Sequence, residues 1–162
     1  MMNDSRWAIL FILAGIVLFV AMPQWRSLAR PSEVYPMALD AFEAKVNAMV
    51  AAHGTGREED GIPVVHPAAG DIYLIARRWA FAPVIELEVG RTYRLHATSA
   101  DILHGLAING REVLLVPGQA SVLELKPTRP GRMLLQCSEF CGAEHNGMRR
   151  MLEVVPAMNL AK

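Results

Sequence analysis

The chain has 162 residues, its 16 Lys+Arg balance 16 Asp+Glu, and 52% of it is apolar. Zero formal charge removes the basic excess that a nucleic-acid footprint needs, and the hydrophobic share excludes a disordered chain. Two cysteines are too few for a disulfide-built scaffold, which leaves one small globular domain plus a strongly apolar segment.

The apolar segment comes first. Trp7 to Trp25 is a run of 19 residues without a charge. At about 1.5 Å per residue it covers about 28 Å, close to the ~30 Å hydrocarbon core of a bilayer. Tryptophans stand at both ends, where amphipathic rings favour the headgroup level, with Arg6 and Arg26 just outside. A cleaved signal peptide is the competing reading. Asp4 offsets Arg6, however, and Ala21-Met22-Pro23 is no small-x-small cleavage site. The expectation is a transmembrane anchor over residues 1–30. Arg6 on one side against Arg26 and Arg30 on the other does not set its orientation.

Pro36 to Ala52 reads as an amphipathic helix, because Leu39, Phe42, Val46, Met49 and Val50 recur at a helical period. Residues 54–70, rich in Gly, Pro and charge, read as a linker, so 31–70 is expected to be helix plus linker. His53 and His66 have no ligand-like neighbours in sequence. From residue 71 the pattern changes to short β-like runs: 71–76, 84–89, 92–98, 111–116, 121–125, 132–136 and 149–155. Gly90, Asn109-Gly110, Pro117-Gly118 and Pro130-Gly131 separate several of them. In 84–89, Ile85, Leu87 and Val89 alternate with Glu86 and Glu88, the period of a half-buried strand with its glutamates outward. His96 falls within a strand-like run as a packing or surface position. Many short strands argue for a mainly β sandwich or barrel over 71–156, followed by a tail, 157–162.

The chemistry is concentrated in Cys137 to Met148, with spacing C-x-x-x-C-x-x-x-H-x-x-M. Two thiols, an imidazole and a thioether are the donors that select copper or zinc. His104, 33 residues upstream of Cys137, is a further imidazole that a sandwich can bring to the same end. Structural zinc commonly uses C-x-x-C pairs, and a thioether is an unusual zinc ligand. A mononuclear copper site needs one Cys, two His and a weak Met. The second Cys would be surplus there, and it can bridge a second copper. A Cys137–Cys141 disulfide is the bland alternative, and it leaves His104, His145 and Met148 without a role. Ser99 and Asp101 are near enough in sequence to orient His104.

Ser99 to Gly105, Val116-Pro117-Gly118, Arg129-Pro130-Gly131 and Cys137 to Met148 together resemble subunit II of cytochrome c oxidase over about residues 71–155. The resemblance implies a cupredoxin-like Greek-key β-sandwich carrying a dinuclear copper centre, CuA. Cys137 and Cys141 would bridge the coppers, His104 and His145 would each bind one, and Met148 and the Glu139 carbonyl would be weak axial ligands. The single anchor is most like the compact B-class (ba-type) form. Glu139 departs from that form toward the aa-type pattern, where its side chain also helps hold Mg2+ at the subunit I interface. Implied partners are haem-copper oxidase subunit I, a c-type cytochrome or small copper protein as electron donor, and the membrane. The implied placement has the N-terminus cytoplasmic and the copper domain on the periplasmic side of the cell inner membrane. The implied function is electron acceptance for a respiratory oxygen reductase, with oxygen chemistry in subunit I. The alternatives are the small subunit of a nitric oxide reductase and a membrane-anchored copper carrier. Trp79 and Phe81 stand where the family places aromatics over the copper, so they are expected on the donor side. Arg149 and Arg150 are read as surface ion pairs ahead of contacts to subunit I. Ten Lys+Arg against nine Asp+Glu in 71–155 give no strongly acidic docking face.

Overall fold

The computed structural model describes residues 4–26 and 33–157. The chain forms two compact units, Met1–Arg30 and Pro31–Lys162. Helix α1 (Asp4–Arg26) makes up the first. It has no polar face, and Phe11 and Phe19 are 72% and 77% exposed, so its apolar surface is left for a partner to cover. Among the described residues no helix is long and apolar enough to cross a membrane. The described side chains of α1 end at Ala21. Those of Trp25 and Arg26, together with Arg30, Pro31 and residues 158–162, lie outside the described residues.

The second unit is a sandwich of two sheets. Its elements in order are β1 (Glu33–Pro36), α2 (Leu39–His53), β2 (Gly54–Glu59), β3 (Ile62–Val65), β4 (Gly70–Arg77) and β5 (Ala80–Ala82). Then come β6 (Val84–Glu88), β7 (Tyr93–Ser99), β8 (His104–Ile108), β9 (Arg111–Leu115), β10 (Gln119–Leu125), β11 (Gly131–Gln136) and β12 (Arg149–Val155). One sheet runs β1-β10-β7-β4-β5 and the other β2-β3-β6-β12-β11-β8-β9. The pairs β4–β7, β3–β6 and β6–β12 are parallel.

Strand β4 shows how sequence becomes layering. Ile72, Leu74 and Ala76 point into the main core with Phe81, Leu95 and Leu106. Tyr73 and Ile75 point the other way, against Phe42 and Val46 of α2. Both faces of the strand are covered, so alternation between apolar and polar is lost and the strand is nearly all apolar. Helix α2 buries Phe42, Val46 and Met49, and Phe42 meets the Tyr73 ring edge-on at 5.6 Å.

The structure corrects several local expectations. Residues 54–65 are a hairpin, β2–β3, in the second sheet and not a linker. Its turn is Asp60-Gly61, with φ of 53° and 74°, the two left-handed residues that a tight two-residue turn requires. Every residue of β6 is buried, Glu86 and Glu88 included. The reason is that β6 lies between β3 and β12, so neither edge is free, and side chains from other segments cover its glutamates. Buried carboxylates need partners. Arg57 pairs with Glu86, Arg91 Nε lies 3.2 Å from Glu88, and the His66 ring stands between them, 3.6 Å from Glu86 and 3.4 Å from Glu88. His66 thus has a charged setting that its sequence neighbours do not reveal.

Candidate metal centre

Strands β11 and β12 pair in antiparallel register up to Gln136 and Arg149, so residues 137–148 form one loop at the end of a hairpin. The Cys137 N–H donates to the Met148 carbonyl at 2.9 Å and closes the mouth of that loop. Inside it, a turn over His145–Gly147 is held by the Gly147 N–H on the Glu144 carbonyl and the Met148 N–H on the His145 carbonyl. His104 arrives as the first residue of β8, not from a loop between strands, because β8 pairs with β11 at Leu135 and Gln136.

These contacts gather five donor side chains and one carbonyl. The two cysteines are free and buried, with their sulfurs 3.7 Å apart. Around Cys137 Sγ stand His104 Nδ1 at 3.7 Å and the Glu139 carbonyl at 3.2 Å. Around Cys141 Sγ stand His145 Nδ1 at 3.6 Å and Met148 Sδ at 3.6 Å. Each sulfur therefore has its own imidazole and its own weak donor. Donor atoms of His104, Cys137 and Cys141 all lie within 4.8 Å of one another, close enough to hold a metal ion. Burial and the neighbouring Cys137 thiol push the Cys141 thiol up to about 11. A cation held between the sulfurs would reverse that preference and take them as thiolates. Soft sulfurs with imidazoles and a thioether are donors of the copper-binding kind.

Asp101 organises one side. It accepts from His104 Nε2 at 2.8 Å, from the Arg78 N–H at 2.9 Å and from the Ile102 N–H at 2.7 Å. Partial burial works to raise its carboxyl, but these donors outweigh it and hold it at about 2. With the proton on Nε2, the lone pair of His104 sits on Nδ1 and faces the thiol. Ser99 supports Asp101 by accepting the Asp101 N–H at 3.3 Å. Gly105 is needed for a steric reason: a Cβ there would stand 2.1 Å from Ser138 Oγ and 2.8 Å from the Glu139 nitrogen. The glycine lets β8 press against the ligand loop.

Of the two expected donor-side aromatics, only Trp79 reaches the loop. Its Nε1–H donates to the Cys141 carbonyl at 3.2 Å. Its ring lies where a Cβ on Gly142, whose φ is +118°, would meet it at 3.3 Å. Phe81 is only 1% exposed, because the single inward position of three-residue β5 belongs to the core. Sequence reasoning missed Phe140, which is 79% exposed with its ring 5.8 Å from His145, and Leu103, which is 41% exposed. Leu103 directly precedes His104 and Phe140 directly precedes Cys141, which was the available signal. Arg150 forms the expected ion pair, 2.8 Å from Asp60 at the tip of the β2–β3 hairpin.

Residues 78–155 match the family model described as cytochrome c oxidase subunit II, periplasmic domain. A stretch of 78 residues is 38% identical to cytochrome c oxidase subunit 2 of Oncopeltus fasciatus, covering 47% of this chain and 34% of that protein. The match thus spans about a third of that relative's length. In solved structures, a chain of a heme-copper terminal oxidase dimer superposes with a TM-score of 0.52 at 22% identity, over 93% of this chain and 95% of that one. The periplasmic domain of cytochrome oxidase subunit II of Bradyrhizobium japonicum gives 0.51 at 22% identity, over 56% of this chain and 86% of its own. Rusticyanin of Thiobacillus ferrooxidans gives 0.53 at 15% identity, over 78% and 100%. At these identities the structural likeness speaks for the fold, which is cupredoxin-like. Residues 78–155 of this chain are thus similar to the periplasmic domains of cytochrome c oxidase subunit II.

Proposed function

We propose that the chain is the electron-accepting subunit of a respiratory haem-copper oxygen reductase. In this reading His104, Cys137, the Glu139 carbonyl, Cys141, His145 and Met148 hold a dinuclear copper centre. The observation that carries it is the doubled donor set: two thiols 3.7 Å apart, each with one imidazole and one weak donor. A mononuclear site would leave one thiol and one weak donor idle. A tetrahedral zinc site would not call on the thioether. When bound, such a copper pair supplies a one-electron carrier whose charge change is shared over two metals and two thiolates.

The chain's own residues supply the setting. Asp101 fixes the ring of His104, and His104, Cys137, Cys141 and Met148 are all buried. The hairpin ladder and the Cys137–Met148 closure hold the loop rigid, which keeps rearrangement small when charge changes. Trp79, with Phe140 and Leu103, offers an apolar surface for a c-type cytochrome or small copper protein. Subunit I is the proposed acceptor, and the partly exposed Glu139 carboxylate is assigned to Mg2+ at that interface. The charge-free run of α1 is assigned as a single-pass anchor of the compact type, N-terminus inside and sandwich on the periplasmic side.

Copper reconstitution of the full chain followed by EPR tests the centre. The expected spectrum is hyperfine structure from one electron shared by two copper nuclei. A spectrum of a single copper nucleus rejects the pair. Protease added to sealed inside-out and right-side-out vesicles tests the anchor: digestion of the sandwich from the cytoplasmic face rejects the orientation.

A further inference from the structure

A second surface lies along β11. The strand pairs with β12 along its whole length, but with β8 only at Leu135 and Gln136. Beyond that point β8 ends and turns through Asn109-Gly110 into β9. The Gly131–Leu134 edge is therefore left without a neighbouring strand. The gap is a cleft of about 760 Å³ between the β8–β9 turn and the 126–130 loop. That volume lies within the range of ordinary ligand sites, and a four-residue edge is about 13 Å long.

The charge of the cleft is one-sided. Arg111, Lys126, Arg129 and Arg132 line it against a single acid, Glu112, in a chain whose total charge is zero. Arg132 is paired with Glu153, and Arg111 donates to the Glu124 carbonyl. Lys126 and Arg129 are exposed and have no carboxylate partner among the described residues. Cations on a strand edge by themselves deter pairing with other strands. Here they surround a cleft wide enough to admit one, so the same charges select its sign.

We propose that this cleft binds an extended acidic peptide segment, which adds to the free edge of β11 as a short strand. Main-chain hydrogen bonds to Gly131–Leu134 would supply affinity, and Lys126, Arg129, Arg132 and Arg111 would meet acidic side chains flanking the strand. Trp79 and Phe140 do not line this cleft, so the segment leaves the proposed electron-donor surface free.

The test uses the full chain in detergent, copper-loaded, and a short fluorescent peptide alternating Glu with Val, followed by anisotropy. The comparators are the same peptide with Lys for Glu, and the Glu peptide N-methylated at every second residue in both registers. The lysine peptide and at least one methylated register are expected to bind about tenfold weaker or worse. The double variant Lys126→Glu, Arg129→Glu is expected to weaken the Glu peptide about tenfold while the copper absorption stays unchanged. Equal binding of both methylated peptides would reduce the surface to bare charge attraction and overturn strand addition. Failure of the Glu peptide to bind, or equal binding of the lysine peptide, overturns the proposal outright. These arms read the wild-type chain, so a variant that fails to fold does not shelter it.

Discussion

Two histidines in this sandwich have the same arrangement and different work. His104 donates from Nε2 to Asp101 at 2.8 Å, and its Nδ1 faces the Cys137 thiol. His96 stands 3.1 Å from Asp71 through Nε2, and its Nδ1 meets the Tyr35 hydroxyl at 2.7 Å. Both rings are buried and both rest on a partly exposed carboxylate. What differs is the far side. His104 opens onto soft donors in a loop, whereas His96 is closed off by Tyr35 and stacked on Tyr73 at 5.0 Å under α2. An imidazole oriented by a carboxylate is therefore not yet a metal ligand. The group facing its second nitrogen decides whether it binds a metal or latches β1 to the sheet.

This contrast is open to attack by substitution. The largest effect is expected from Cys141→Ser, which removes one of the two sulfurs. The two-copper EPR signature should vanish and metal analysis should find at most one copper per chain, and retention of two coppers would count against bridging. Next is Phe42→Ala, under the His96 side, expected to cost about 3–5 kcal/mol in denaturant unfolding with the copper spectrum intact. A copper spectrum altered by this change would show that the two sides are coupled. Asp101→Ala should lower copper affinity roughly 10–100-fold in a chelator competition, with Asp101→Asn milder because it keeps an acceptor for His104. Equal affinity in wild type and Asp101→Ala would deny the carboxylate its orienting role. The smallest is Tyr35→Phe, expected to cost about 1 kcal/mol of stability and to leave copper binding unchanged.

Much of the candidate metal centre was legible because its donors are contiguous. Cys137, Cys141, His145 and Met148 sit within one loop, so any fold that closes the hairpin brings them together. The sandwich was legible from the alternation of 84–89 and from the turn pairs, yet β1, β2, β3, β5 and β8 were not. Strands β2 and β3 carried their own signal, Asp60-Gly61, hidden among the charges that made 54–70 read as linker. Glu86 and Glu88 misled for a physical reason: their alternation is genuine, but β3 pairs along the edge of the strand and the Arg57 and His66 side chains, from a distant segment, cover the two carboxylates. Phe81 misled because a residue's place beside a motif says nothing of which way a three-residue strand points.

The sequence by itself determined the donor chemistry, the spacing of the ligand loop, the apolar run at the N-terminus and the β character of the rest. These are local properties, set by residue type and by separations of a few positions. Tertiary structure decided that, of Ser99 and Asp101, it is Asp101 that accepts from His104, that Gly105 lets the Ser138 segment approach, and that the Trp79 ring donates to the Cys141 carbonyl. It also decided that Phe140 is exposed and that one edge of β11 is free. Those outcomes depend on which strands pair across long separations, and strand pairing is chosen by the whole core at once, not by the period of any one segment.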